Sequence, residues 1–359
     1  MTSNPPLPSD LAPTSVDQVL DPAWLTRALY PGQAVRVEAV EVVWTLSNTA
    51  TKIRAALTLS GADAEATTGI CIKGLLGEQA QAYLASGVSR KEAMFYRELA
   101  GPLGEQGLLV PRTRYCGIDP ANDHGLIIMD DLVAAGCEFL SPLTPYTQDE
   151  ARCSLAQLAR LHAGSRKTGL CDRPWIEPML DRIAEHSLVP LDRVQVLLED
   201  SRSDAFPAAL RDARRVHGAL ALLAEKFRND PVCCVHGDAH AGNLFKTADR
   251  QDIGVIDWQL IQRGHWAQDV AYHLGAALSV EDRRRSERAL LNHYLDRLGA
   301  HGGPRIDPEQ GWTQYRMAML YGYYLWAITQ RVDRPIIVEF IKRLGSAVVD
   351  LDSVQLVES

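Results

Sequence analysis

The stretch CCVHGDAHAGNLF, from Cys233 to Phe245, holds two histidines, an aspartate, an asparagine and two adjacent cysteines; GVIDWQ follows from Gly254 to Gln259. Asp238 and Asn243 are five residues apart, and Asp257 lies fourteen further on, past an apolar run. An aspartate placed like Asp238 can accept or orient a hydroxyl proton. Asn243 and Asp257 offer hard oxygen to Mg²⁺, which prefers oxygen donors and keeps several waters. The competing chemistry is a transition-metal site drawn from His236, Asp238, His240 and the cysteine pair. Structural zinc sites draw on paired Cys and His at loop spacings, and no partner Cys/His cluster stands out elsewhere in the chain.

An Asp, an Asn five later and a metal-binding Asp after the next strand is the arrangement protein kinases use. That chemistry also needs a lysine on a strand for the α/β-phosphates and a helical glutamate to orient it. Lys73 in ICIKG fits the first role, and Glu92, nineteen residues on, or Glu98 fits the second. The phosphate-covering loop would be TLSNTATK, which has no glycine; Ser47, Asn48, Thr49 and Thr51 are its possible donors, the alternative being an ordinary polar hairpin. Glycine lets backbone N–H groups approach phosphate closely. Its absence is the one feature that favours a different class, a nucleotide-binding pseudo-kinase acting as a regulatory module. No Ala-Pro-Glu segment follows Asp257, which disfavours a protein substrate.

The elements that must position these residues fall into two kinds. Residues 1–14, rich in Pro and Ser, read as disordered. SVDQVLDPAWLTRAL predicts one short helix with Ser15 as N-cap. AVRVEAVEVVW, TKIRAALTLSG, GICIKGLL, Pro111 to Cys116 and HGLIIMDDL read as strands, with a helix over Ser89 to Leu99. After Leu132 the pattern becomes helical, with long runs over 206–227, 281–298 and 311–328, and strands only around CCVHGD, NLFK and DIGVIDW. The expected architecture is α+β and bilobal: an N-lobe over 15–131 that binds nucleotide, and a mainly helical C-lobe over 132–359 with the catalytic loop and acceptor site.

Composition narrows the classes. The 359 residues carry a net charge of −8, with 46% hydrophobic and 23% charged residues. This suits a globular protein and argues against a nucleic-acid binder, which shows a basic stripe. The seven cysteines, the absence of a secretory leader and the absence of any Cys-x-x-Cys pair predict reduced thiols and a cytoplasmic protein. Met317 to Gln330, the longest uncharged apolar run, is too short to span a membrane.

HGDAHAGN with VIDWQ resembles the aminoglycoside phosphotransferase and choline-kinase-like superfamily, small-molecule kinases of protein-kinase-like fold, and IDWQ resembles its ecdysteroid-kinase-like branch. KEAMFYREL resembles the superfamily's helix signature, which selects Glu92; IIMDDL resembles its lobe-connecting hinge; DVAYHL resembles the segment that braces the catalytic loop, pointing to Asp269. The resemblance covers roughly residues 20–330. It implies an ATP- and Mg²⁺-dependent transfer to a hydroxyl of an aminoglycoside, choline or steroid-alcohol-like molecule. Asp238 matches the catalytic base, Asn243 and Asp257 the metal ligands, Lys73 and Glu92 the phosphate lysine and its partner. His236 would orient the loop and His240 lie near phosphate or metal. The backbone of Met129, Asp130 and Asp131 would bond adenine. An acceptor site in the helical lobe would draw on Trp312, Tyr315, Tyr323 or Trp326, aromatics suited to caging an ammonium or lining a pocket for a flat alcohol.

Overall fold

A computed structural model describes residues 11–47, 49–61, 67–77, 86–141, 143–204 and 206–359. Asn48 of the polar loop and residues 1–10 of the expected disordered segment lie outside the described residues. Ala12 and Pro13 are nonetheless buried, and the Ala12 carbonyl oxygen lies 2.9 Å from His124 Nδ1.

The chain divides into two compact units. One comprises Met1–Pro102, Val110–Glu138 and Asp257–Leu260; the other comprises Leu103–Leu109, Phe139–Ile256 and Ile261–Ser359. Asp257 therefore belongs with the β-rich unit.

That unit is built on an antiparallel sheet of β1 (Arg36–Ser47), β2 (Thr51–Ser60), β3 (Thr67–Gly74), β4 (Thr113–Asp119) and β5 (His124–Asp130), ordered β1-β2-β3-β5-β4. Side chains alternate across a sheet. Ile53, Ala55 and Leu57 of β2, Ile70 and Ile72 of β3, and Leu126 and Ile128 of β5 turn one way and pack with Trp24 and Leu25. Burying each such side chain contributes about 1.5–3 kcal/mol. The same alternation sends Lys52, Arg54, Cys71 and Lys73 to the opposite face.

Three local expectations are corrected. SVDQVLDPAWLTRAL forms two helices, Val16–Val19 and Pro22–Leu29. Asp21 precedes a proline, which disfavours helical geometry there, and its carboxylate caps the second helix through the Trp24 N–H at 2.7 Å; Ser15 makes no side-chain cap bond. The helix expected over 206–227 begins at Ala213, capped by Asp212 after a short 3-10 turn at Ala208–Leu210. The helix expected over Ser89 to Leu99 is α-helical over Val88–Met94, widens to a π turn over Phe95–Leu99, and resumes over Ala100–Gly104. Pro102 explains the widening. In a continuous α-helix its ring would strike the Glu98 carbonyl four residues back, and a π turn relieves that crowding.

The second unit is mainly helical, with long helices at Gln148–Lys167, Ala213–Phe227, Val280–Ala300, Pro308–Ile328 and Arg334–Asp350. After the two-residue β6 (Glu138–Phe139) come four short strands: β7 (Cys233–Val235), β8 (Leu244–Lys246), β9 (Ile253–Val255) and β10 (Gln262–Gly264). β7 pairs with β10 and β8 with β9, both antiparallel, so the segment 236–243 is a loop held at both ends by strands. Among the described residues no helix is long and apolar enough to cross a membrane.

Candidate active site

In the β-rich unit, Lys73 stands one residue from the end of β3 on the face away from the core. Its Nζ lies 2.7 Å from Glu92 Oε2 and 2.9 Å from Asp257 Oδ1. The Lys73 and Glu92 side chains are only 5% and 4% exposed. A buried ammonium without partners would be costly. Burial pulls Lys73 down, but Asp257 and Glu92 outweigh it and hold the ammonium above its ordinary pKa. Glu92 is pushed up by burial and by Asp257, against the pull of Lys73. Its Oε1 also accepts the Trp258 N–H at 3.3 Å, so one carboxylate holds both the lysine and the chain just after Asp257. Asp257 has φ +65°, a left-handed conformation uncommon outside glycine but tolerated by aspartate. Trp258 is fully buried and stacks on Phe95, with ring centroids 3.7 Å apart and planes at 8°. The Glu98 carboxylate lies 3.6 Å from Arg97.

Sequence reasoning missed one member. Lys52 of β2 is the register partner of Lys73, and its Nζ lies 3.4 Å from Asp257 Oδ2. Of the loop residues, Ser47 Oγ is 3.3 Å from Thr51 Oγ1, which donates to the Leu76 carbonyl at 3.1 Å; Thr49 sits half-buried between them in sequence. At the end of β5, Met129 is buried. The Asp130 N–H donates to the Arg112 carbonyl and the Asp131 N–H to the Gly69 carbonyl. Their carboxylates bind Arg114 and Arg54 respectively. Both backbone N–H groups are thus engaged within the sheet and its flank, and the Asp131 carbonyl accepts the Ala135 N–H at 3.0 Å.

In the helical unit the loop 236–243 is strapped from several sides. The buried Asp269 accepts the His236 N–H at 2.6 Å and the Gly237 N–H at 2.9 Å, and His162 Nε2 lies 3.0 Å away. Burial would raise Asp269, but His162 and these bonds keep its carboxyl below the ordinary range. His236 is buried, with Nε2 2.9 Å from the Ile256 carbonyl and Nδ1 accepting the Asp238 N–H at 3.2 Å. Gly237 adopts φ +81°, which glycine takes without steric cost. Tyr321 donates to the Gly237 carbonyl at 2.9 Å.

Asp238 itself is half-buried. Oδ1 accepts the Tyr272 hydroxyl at 2.8 Å, and that hydroxyl accepts the Trp326 Nε1–H at 2.7 Å. Asn243 Nδ2 donates to the Asp238 carbonyl at 2.8 Å and to Oδ2 at 3.1 Å. His240 Nε2 lies 3.6 Å from Oδ2. Burial would raise the Asp238 carboxyl, yet His240 and Tyr272 hold it below the usual carboxylate range. It is an ionised acceptor at neutral pH. Tyr272 lies in DVAYHL, where nothing but a helical position marked it; the signal available was its place three residues after Asp269 on the same helix face.

His273 secures the next residue of the loop. Its Nδ1 lies 2.8 Å from the Ala239 carbonyl and its Nε2 2.6 Å from Ser154 Oγ. Burial drives this imidazole down to about 4, against the Ala239 bond, which favours the charged form. The unfolded chain takes up that proton near pH ~6.5, whereas the folded protein does so only near 4. The contribution, on the order of 3 kcal/mol, is therefore complete above pH ~6.5 and lost as pH falls toward the folded value. Thermal midpoints measured from pH 7 to 4 should fall over this window, and His273→Gln should flatten the fall; an equally steep fall in the variant would remove His273 as its cause.

The four aromatic candidates for the acceptor site are not brought together. Trp312 stacks on Tyr315 beneath the Arg288 guanidinium, and Tyr315 donates to Glu287. Tyr323 donates to the Leu210 carbonyl. Trp326 alone joins Asp238, through Tyr272, and it stacks on Phe340 and faces the His240 ring.

Asn243 and Asp257, each within its own unit, carry hard oxygen donors of the kind Mg²⁺ takes. Asn243 commits its amide nitrogen to Asp238, which leaves Oδ1 as its coordinating end, and Asp257 presents both carboxylate oxygens to cations. Cys233 and Cys234 are buried in β7, and burial pushes both thiols far above their ordinary values, which suits them poorly to thiolate ligation.

The fold is shared with solved phosphotransferases. A Ralstonia eutropha protein carried as a candidate aminoglycoside phosphotransferase is 14% identical, with a TM-score of 0.54 over 93% of this chain and 96% of that one. Choline kinase from Cryptosporidium parvum is 11% identical, with a TM-score of 0.52 over 92% and 93%. A GDP complex of an aminoglycoside 2'-phosphotransferase-IIIa variant is 12% identical, with a TM-score of 0.51 over 91% and 96%. No curated protein sequence matches. The shared architecture is α+β, bilobal and kinase-like. The chain belongs to the phosphotransferase enzyme family, which it matches over residues 83–317, well over half its length.

Proposed function

We propose that the protein transfers the γ-phosphoryl group of ATP, with Mg²⁺, to a hydroxyl group of a small molecule. The observation that carries this reading is the convergence of the Glu92 and Asp257 carboxylates on the Lys73 Nζ, at 2.7 and 2.9 Å. Lys73 neutralises phosphate charge, and Glu92 keeps its ammonium extended and charged. Asp238 orients the acceptor hydroxyl and takes its proton as the new O–P bond forms and the bond to the ADP oxygen breaks. Because Asp238 is held as a weak base, that proton moves late, and catalysis is mostly positioning and charge stabilisation. Asn243 and Asp257 are the residues that would hold Mg²⁺, which supplies charge neutralisation at the phosphates when bound.

The test is ADP release from ATP against aminoglycosides, choline analogues and steroid alcohols, with Mg²⁺, Mn²⁺ or chelator, and metal analysis of the purified protein. Acceptor-dependent ADP release that needs Mg²⁺ or Mn²⁺ is expected. Nucleotide binding without turnover on any acceptor would favour the regulatory-module reading, and stoichiometric zinc would overturn the oxygen-ligand assignment.

A further inference from the structure

Lys52 and Lys73 face each other across β2 and β3, so both rise from the same side of the sheet. Asp257 receives both, Oδ1 from Lys73 at 2.9 Å and Oδ2 from Lys52 at 3.4 Å. The two lysines differ in setting. Lys73 is 5% exposed and also holds Glu92, whereas Lys52 is 26% exposed. As a stabilising device the Lys52 contact is poor. It pins a long side chain with high rotamer entropy for a part-exposed pair of small worth.

The neighbouring loop supplies the reason for a second cation. Lys52 follows it directly, and the loop from Ser47 to Thr51 contains no glycine. A concave cradle of backbone N–H groups depends on left-handed residues that glycine adopts most readily. The Thr51 hydroxyl is committed to the Leu76 carbonyl. Phosphate charge near this hairpin must therefore be met by side chains, and lysine meets it as a point charge.

We propose that Lys52 is a second phosphate-binding lysine, whose ammonium exchanges the Asp257 carboxylate for the β- or γ-phosphate when nucleotide binds. This rests on the nucleotide-phosphotransferase reading given above. The exchange also frees one oxygen of Asp257 for its metal at the moment nucleotide arrives.

Calorimetric titration of ATP and AMP, with Mg²⁺, into the wild-type protein and the variants Lys52→Met, Lys52→Arg and Lys73→Met tests it, with thermal midpoints taken in parallel. Lys52→Met should weaken ATP about tenfold, the scale of one charge-assisted hydrogen bond, while AMP changes by less than about twofold. Lys52→Arg should restore most of the ATP affinity. Equal weakening of ATP and AMP, or a lowered midpoint with unchanged ATP-to-AMP preference, would make Lys52 a structural ion-pair partner and overturn the proposal. So would unchanged ATP binding in Lys52→Met while Lys73→Met weakens it. Unchanged ATP binding in both variants would take the phosphate role from both lysines and overturn the proposal, whereas no ATP binding by the wild-type protein would overturn the nucleotide reading itself.

Discussion

Asp238→Asn should lower turnover by about 10²-fold or more, the loss expected on removing a positioned base, and leave the nucleotide Kd nearly unchanged. The substitution keeps the size and most of the setting of the side chain. It replaces one carboxylate oxygen by an NH₂ group where both oxygens now accept: Oδ1 from Tyr272 and Oδ2 from Asn243. Whichever way the new amide turns, a donor faces a donor, and the proton acceptor is gone. The strap around it persists, because Asp269 grips the His236 and Gly237 N–H groups and His273 the Ala239 carbonyl, none through the Asp238 side chain. Single-turnover rates with an accepted alcohol, beside equilibrium binding of ATP, separate the two effects. Near wild-type turnover would take the base role away from Asp238.

The candidate loop was legible in the sequence because its residues are joined by short local spacing: His236, Asp238 and Asn243 lie on one loop whose ends are fixed by short strands. Lys73 and Glu92 were legible for a similar reason, an apolar strand that ends in a lysine and a helix that follows it. Lys52 was not. Which residue of β2 opposes Lys73 depends on hairpin register, and a slip of one residue would turn Lys52 to the other face. Tyr272 was hidden because a tyrosine inside an apolar helix reads as core until a packed partner gives its hydroxyl a destination. The aromatic residues of Pro308–Ile328 show the converse. Tyr315 and Tyr323 repeat at helical spacing because the helix is buried on most sides, and their hydroxyls bond to Glu287 and Leu210 within the packing. The break at Asp21–Pro22 was written in the sequence as a proline preceded by a capping aspartate.

Glu92→Gln should lower kcat/KM for ATP at least tenfold, on the order of the loss when a buried charge pair is broken, while Glu98→Gln should change it by no more than about twofold, as for a surface position. A regular α-helix turns about 100° per residue, which would place Glu98 some 120° from Glu92. The π turn over Phe95–Leu99 changes that angle, so the assignment rests on observed contacts. Both Glu92 oxygens are used: Oε2 and Oε1 on Lys73, and Oε1 also on the Trp258 N–H. Glutamine offers one acceptor and adds an NH₂ that must face either an ammonium or a backbone N–H. Lys73 would keep Asp257 as its one adjacent carboxylate, on the same residue proposed to serve the metal, so nucleotide and lysine would compete for it. Glu98 is 28% exposed beside Arg97, and glutamine there keeps the side-chain length without disturbing the lysine. The measurement is KM for ATP and kcat for both variants on one accepted substrate. Equal losses would point to the helix as a whole, and a larger loss for Glu98→Gln would transfer the partner role to that residue.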